Sequence, residues 1–446
     1  MKHGEGHTIY MLGIGGIGMS ALARYYHSHG YTVAGYDRTP SPLTQQLQDE
    51  GMAIHYEDNP ALLPAHIDFV VYTPAVPQNL KEFETLRQNN IKIMKRSEAL
   101  GLVSEQHFTI AIAGTHGKTT TTAMVAHILN ACGKDTTAFI GGIANNFDSN
   151  LLLGQGKDSI MVVEADEFDR SFLRLHPNVS IINSIDADHL DIYGDRQQLV
   201  QSFNDFAQLT EGKVIVKEGL AVNTNRGIRF GFGDDCDYRT EVIKSEKGVT
   251  DFVIIGEGRK TEVRLTMAGN HNVLNATAAF IATRQIGLDA EAIAKALASF
   301  KGVKRRFDIR VNNQKHYYID DYAHHPEEIR SCLTAVKASF PGKRLTLVFQ
   351  PHLFSRTRDF MEEFATVLTL SDELILLDIY PARELPIEGI TSQALLDKVK
   401  MENKRTCTKA ELISLIDSEK PELLVTMGAG DIDRFVEPIE KLIKTW

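Results

Sequence analysis

At 446 residues the chain is longer than one hydrophobic core usually extends, so two to three domains are expected. A hydrophobic content of 43% with 24% charged residues is that of an ordinary globular protein, and a net charge of −10 excludes a nucleic-acid binder working through bulk electrostatics. No apolar run reaches the roughly 18 residues of a membrane span, the first residues show no apolar core with a cleavage site, and the four scattered cysteines form no C-x-x-C pair. These features predict a protein of the reducing cytoplasm, with no membrane or nucleic-acid partner.

The first block opens with "TIYMLGIGGIGMSALARYYHSHG", which predicts a strand, a glycine-rich turn at Gly13, Gly15, Gly16 and Gly18, and a helix closed by Gly30. "YTVAGYD" and "DFVVYTPAV" read as further strands, the first ending in Asp37. Strands alternating with helices predict a parallel sheet of Rossmann type. Gly13, Gly15 and Gly18 fit G-x-G-x-x-G, and Asp37 follows Gly18 by 19 residues. Alone, that fingerprint points to a nicotinamide-dependent oxidoreductase, or to a glycine turn needed only for packing a helix on a sheet.

In the second block the strand "FTIAIAG" runs into "THGKTTTT", followed by helical sequence. Gly117, Lys118 and Thr119 supply the second half of G-x-x-x-x-G-K-[ST], but position 112 is Ile112, and Gly114 comes two residues late, with His116 inside a shortened loop. A phosphate cradle needs a strand that stops abruptly, small residues that let backbone N–H groups converge, and a helix N-terminus aimed at the anion. All three are present, with Lys118 suited to terminal phosphates and the Thr119 hydroxyl to Mg²⁺. "VVEADEFD" ends the next strand in Glu164, Asp166 and Glu167, carboxylates that repel one another unless a hard cation neutralises them. "INSIDADHLDIYG" places Asp186, Asp188, His189 and Asp191 at another strand end, where a histidine among acids is a candidate metal ligand. After an irregular stretch, "GNHNVLNATAAFIATRQIG" predicts a helix from a capping Asn to Gly287.

The third block, from "FKGVKRRFD", carries "HYYIDDYAHHPEEI" and the strands "RLTLVFQPH", "DELILLDIY" and "ELLVTMGAGDI", again in α/β alternation. The expected boundaries are 1–98, 99–303 and 304–446.

The order G-T-H-G-K-T-T-T-T, E-A-D-E, D-A-D-H-L-D, G-x-H-N-x-x-N and D-Y-A-H-H-P closely resembles the Mur ligases, ATP-dependent amide-forming enzymes of peptidoglycan synthesis. The shortened loop is a trait of that family. The resemblance implies an α/β protein of three domains: a Rossmann-like N-terminal UDP-binding domain, a central P-loop ATPase domain and a C-terminal Rossmann-like α/β domain. It implies ATP and Mg²⁺ as cofactors. ATP would be held by Gly114, Thr115, His116, Gly117, Lys118, Thr119 and Thr120, with the adenine held by His271, Asn272 and Asn275. Arg306 and Asp321 would reach ATP when the C-terminal domain closes, and Thr119, Glu164 and His189 would be metal ligands.

Within the family, "GIGGIGMSALA" and "GYDRTPSPLT" resemble the branch that adds L-alanine to UDP-N-acetylmuramate. There Gly13, Gly15, Gly16, Ile17 and Gly18 would hold the diphosphate, Asp37 and Ser41 the nucleoside end, and Thr73 would line the same pocket. No lysine lies between His189 and Lys213, where most of the family carries a carbamylated one, and this too fits the alanine-adding branch. The alternative is a sister enzyme that attaches a preformed tripeptide to the same sugar nucleotide. Catalysis would rest on Lys118, Glu164, His189 and His324, with His324 or His325 orienting or accepting the amine proton and Arg356 paired with the amino-acid carboxylate. The active species is expected to be a monomer or homodimer. A nucleotide-binding protein without catalysis is the rival within the same ancestry, and the intact lysine, threonine, glutamate and histidine positions argue against it.

Overall fold

The computed structural model describes residues 4–156, 158–186, 193, 195–313, 315–382 and 384–446. The candidate ligand His189 and its neighbours Asp188 and Asp191 lie outside the described residues.

The first sheet holds β1 (Thr8–Leu12), β2 (Thr32–Tyr36), β3 (Ala53–His55), β4 (Phe69–Tyr72) and β5 (Lys92–Lys95), all parallel in the order β3-β2-β1-β4-β5. Side chains alternate across a strand, and β1 shows why the sheet must be covered on both faces. Ile9 and Met11 join a core under the helix Ile17–Ser28, while Tyr10 and Leu12 pack on the other face with Phe83 and Leu86.

The second sheet contains β6 (Thr109–Ala113), β7 (Thr136–Ala144), β8 (Ser149–Leu152), β9 (Ile160–Ala165), β10 (Val179–Ile182), β11 (Val214–Lys217), β12 (Gly227–Gly231), β13 (Tyr238–Glu246), β14 (Val249–Gly256) and β15 (Arg259–Leu265). Its order is β15-β14-β13-β12-β11-β10-β6-β9-β7-β8. Strand β6 lies between β9 and β10, parallel to both, so the crevice beyond its C-terminal end falls where the strand order reverses. Open α/β sheets take their ligands at that place.

The third sheet is β16 (Asp308–Asn312), β17 (Tyr317–Asp321), β18 (Leu345–Phe349), β19 (Glu373–Leu376), β20 (Lys404–Thr406) and β21 (Leu423–Met427), ordered β16-β17-β21-β18-β19-β20, with only β16 antiparallel to its neighbour. The α/β class and the parallel sheets expected from the sequence are therefore those observed. By compactness the chain divides into one unit of Met1–Thr240, Ile254–Thr261 and Asn275–Leu297, and another of Glu241–Val253, Glu262–Leu274 and Ala298–Trp446.

The stretch read as irregular contains β13–β15. These strands meet at two-residue turns, Lys247-Gly248 and Glu257-Gly258, in which every residue has positive φ, between 51° and 82°. That is type I′ hairpin geometry, normally signalled by Asn-Gly or Asp-Gly. With Lys and Glu in the first position, the signal was hidden.

Within the first unit, Asn150 on β8 is fully buried against the glycine-turn helix. Its Nδ2 donates to Ile17 O (2.6 Å) and Ser20 Oγ (3.0 Å), and its Oδ1 accepts from Arg24 Nη1 (2.8 Å). Asn150→Ala removes all three bonds, although Ile17 O keeps Ser20 Oγ and Arg24 keeps Glu50, and is expected to cost about 1–3 kcal/mol. Calorimetry should show this as a lower melting temperature, whereas an unchanged melt would mean the clamp contributes nothing.

Candidate active site

Strand β6 continues through Ile112, which pairs with Glu164 and Ile181, so the loop starts only at Gly114. Gly114 has φ 135°, and a Cβ there would lie 2.9 Å from Ser184 N. Gly117 has φ 83°, and its Cβ would fall 2.6 Å from Asn275 Oδ1 and 3.2 Å from Asn183 Nδ2. Both positions thus exclude a side chain by conformation and by space. Ser184 pins the loop between them, its O accepting from Thr115 N (3.3 Å) and its Oγ from His116 N (2.8 Å). Asp186 N donates to Thr115 Oγ1 (3.0 Å), and Asp186 Oδ2 lies 3.6 Å from His116 Nε2.

Gly117 opens directly into the helix Lys118–Ala131, and no side chain caps that end. Its first N–H groups therefore keep their donors for a ligand. Thr119 and Thr120 are buried at this end, and Asn183 Nδ2 donates to Thr121 Oγ1 (2.9 Å).

Lys118 is nearly enclosed. Its Nζ donates to Gly114 O (2.7 Å) and Glu167 Oε2 (2.6 Å). Burial works against its charge, but Glu167, Asp166 and Glu164 outweigh burial and hold the ammonium above its ordinary value, so it stays charged. The acids at the end of β9 separate by partner. Glu164 Oε1 accepts from Gly141 N (2.5 Å), Asp166 faces Arg96 (3.6 Å), and Glu167 takes Lys118. Thr119 and Glu164 offer the hard oxygen donors that suit Mg²⁺. Among the described residues no group of three or more His, Cys, Asp and Glu side chains is set to hold a metal ion.

At the glycine turn, Gly13 has φ 81° and a Cβ there would meet Thr73 Cγ2 at 2.6 Å, which brings Thr73 to the loop. Gly15 N donates to Asp37 Oδ2 (2.8 Å), so Asp37 braces the loop's own backbone. Ser41 caps the helix Pro42–Asp49, its Oγ accepting from Thr44 N (3.1 Å). Gly16 precedes the helix Ile17–Ser28 without a side-chain cap, and a Cβ on Gly18 would lie 2.7 Å from Arg96 Nη1. Sequence reasoning missed Arg96, whose only signal was a basic pair, Lys95-Arg96, at a block boundary.

In the second unit, Asn272 Nδ2 donates to Ala268 O (2.8 Å), and His271 lies beside Gly269. Asp321 accepts from Phe307 N (2.7 Å) and Ala323 N (2.8 Å). Burial pushes its carboxyl up to about 6, against the opposing pull of Arg306, whose guanidinium stacks 4.9 Å over the Tyr322 ring.

The paired histidines of "YAHHP" diverge. His324 lies with its ring 5.9 Å from that of His352, and Arg356 Nη1 donates to His352 Nδ1 (3.3 Å). His325 instead packs edge-on against Phe360 (4.6 Å) at the start of the helix Pro326–Ser339. Burial, followed by the neighbouring Arg356 and Arg306, lowers His324 despite Glu328. Burial, His324 and Arg356 lower His352 to about 4, so both rings are neutral at pH 7. His352 had no signal of its own in the sequence.

Three stretches of the chain match known domains: residues 8–108 the Mur ligase family catalytic domain, 112–283 the Mur ligase middle domain, and 305–430 the Mur ligase glutamate ligase domain. The UDP-N-acetylmuramate–L-alanine ligase of Christiangramia forsetii is 49% identical over 444 residues, covering 97% of each chain. The solved structure of the UDP-N-acetylmuramate-alanine ligase of Thermotoga maritima superposes with a TM-score of 0.85 at 29% identity, over 98% of this chain and 99% of that one. A murein peptide ligase of Psychrobacter arcticus shares the fold, with a TM-score of 0.75 at 24% identity over 99% of both chains.

The folded state favours protonated Asp321. Its contribution therefore supports folding below the usual carboxyl range, near pH ~4, and is lost as pH rises through about 6. A ¹³C-carboxyl titration should find its midpoint near 6. Arg306→Ala should move that midpoint upward, since it removes the cation that pulls it down, and a downward move would contradict this electrostatic picture.

Proposed function

The chain belongs to the Mur ligase family, and on that premise we propose that it joins L-alanine to UDP-N-acetylmuramate, with ATP converted to ADP and phosphate, in the cytoplasmic assembly of peptidoglycan precursors. The observation that carries this reading is the cradle at Gly117, emptied of any Cβ and opening onto an uncapped helix beside a buried, charged Lys118. Full-length similarity to alanine-adding ligases, at a higher TM-score than to the peptide ligase, favours alanine over a tripeptide as acceptor. The domains run 1–98 for the sugar nucleotide, 99–303 for ATP and 304–446 for the amino acid.

The muramate carboxylate attacks the γ-phosphate of ATP in line, giving an acyl phosphate and ADP. The alanine amine then attacks the activated carbonyl, and the tetrahedral intermediate expels phosphate. The obstacle in the first step is the approach of one anion to another. Lys118 and the N–H groups of residues 118–120 meet it with charge and dipoles already in place. Thr119, Glu164 and His189 would hold Mg²⁺, which would supply positive charge against the phosphoryl oxygens. Arg356, braced on His352, receives the alanine carboxylate. His324 Nδ1 lies 3.0 Å from Tyr322 O, which suits it as the protonated nitrogen and leaves Nε2 of the neutral ring to take the amine proton.

Phosphate release in the presence of ATP and Mg²⁺ is expected to require both UDP-N-acetylmuramate and L-alanine, and mass spectrometry should show their amide. Glycine and serine should react weakly, since one methyl group discriminates by only ~1–3 kcal/mol. Preference for an alanine-leading tripeptide in a mixture of acceptors would move the protein to the recycling branch, and no amide with any acceptor would refute ligation.

Lys118→Ala should lose on the order of 10³-fold or more in turnover, and because it leaves the buried Glu167 without its cation its melting temperature should fall as well. Turnover within tenfold of the parent would contradict its role. Glu164→Ala should raise the Mg²⁺ concentration needed for half-maximal rate, and an unchanged titration would remove it from the metal site.

A further inference from the structure

Asp166 and Glu167 are neighbours at the end of β9, yet they serve different loops. Asp166 Oδ2 lies 3.6 Å from Arg96 Nη2, and Arg96 Nη1 sits against Gly18 of the glycine turn. Glu167 Oε2 holds Lys118 Nζ at 2.6 Å in the ATP loop. One turn of the chain therefore faces two cations, Arg96 beside the glycine turn and Lys118 in the lysine loop.

That turn is itself firmly set. Phe172 N donates to Asp166 O (2.9 Å), Phe168 N to Asp166 Oδ1 (3.2 Å), and Tyr193 OH to Glu167 O (2.5 Å). Phe172 stacks on Phe206 with ring centroids 5.0 Å apart. Asp169 and Arg170 both occupy the left-handed region, at φ 52° and 53°, which non-glycine residues adopt in succession only when their surroundings enforce it. Lys95, next to Arg96, supplies part of that enforcement through its 2.5 Å pair with Asp169 Oδ2.

We propose that Asp166 and Glu167 are positioning residues that hold Arg96 and Lys118 from a single turn, and thereby make anions at the glycine loop and the ATP loop antagonise each other. The inference rests on the reading of these loops as the sites for the sugar-nucleotide diphosphate and for ATP. A diphosphate at Gly18 draws Arg96 off Asp166 and leaves that carboxylate uncompensated. Asp166 is the chain neighbour of Glu167, which holds Lys118 Nζ at 2.6 Å, so the freed carboxylate adds negative charge beside that pair, holds the lysine more firmly among the acids and leaves it less able to serve a second anion. By linkage the effect is reciprocal.

The test is the affinity of a non-hydrolysable ATP analogue, measured in EDTA by calorimetry with and without saturating UDP-N-acetylmuramate. The parent protein should bind the analogue about fivefold more weakly when the sugar nucleotide is present, a coupling of ordinary size. In Asp166→Asn that factor should fall below about twofold while each ligand alone still binds. In Glu167→Gln, Lys118 loses its charged acceptor, and the analogue alone should bind about tenfold more tightly. A fivefold factor that persists in Asp166→Asn overturns the inference and leaves the ligase reading standing, because both ligands bind. Failure of the parent to bind UDP-N-acetylmuramate overturns both. Should Glu167→Gln not fold, Asp166→Asn decides alone, since its side chain is 40% exposed and not part of the core.

Discussion

One anion must approach another in the proposed reaction, and the first unit is built around the buried ammonium of Lys118. A lysine so enclosed costs free energy unless its charge is answered. Glu167, Asp166 and Glu164 answer it, and that fixes where β9 must end and how the turn after it must run. Lys118 is also the first residue of the uncapped helix Lys118–Ala131, so its charge and the helix dipoles belong to the same loop end. Gly114 and Gly117 follow from this arrangement, because any Cβ there would occupy the space against Ser184 or Asn275.

The second unit handles charge differently. Arg305 pairs with the buried Asp320 (3.1 Å), and Arg356 is left beside two histidines that burial keeps neutral. A neutral ring next to a guanidinium leaves the arginine's charge uncancelled for a carboxylate. It also leaves an unprotonated nitrogen for an amine proton, a combination suited to an amino-acid acceptor. The left-handed conformations of Arg305 and Phe307, at φ 63° and 49°, set how the segment ahead of β16 presents Arg306 between them. Backbone strain of this kind gathers where function constrains geometry.

Much of this was legible in the sequence. A strand, a glycine turn and a helix start can be read from apolar runs and punctuation, so the lysine loop, the glycine loop and the parallel sheets were found despite Ile112 standing where a glycine was expected. What pattern cannot give is the direction of consecutive side chains. Glu164, Asp166 and Glu167 read as one acidic group, but the fold sends them to Gly141, Arg96 and Lys118 respectively. His324 and His325 read as a pair, but one turns toward His352 and the other toward Phe360. Ser41 and Asp37 read as ligand contacts, while their hydrogen bonds in the fold brace a helix start and the glycine loop. Arg96 was invisible because its meaning lies in Gly18, distant in sequence and adjacent in space.

In the proposed reaction the sugar-nucleotide carboxylate is activated as an acyl phosphate at the Lys118 cradle before the amine attacks. UDP-N-acetylmuramate labelled with ¹⁸O in both carboxylate oxygens tests this directly, by mass spectrometry of the phosphate released in the presence of ATP, Mg²⁺ and L-alanine. Acyl-phosphate activation puts one ¹⁸O in each phosphate formed and leaves one in the amide product. Unlabelled phosphate formed at the same rate as the amide would contradict it.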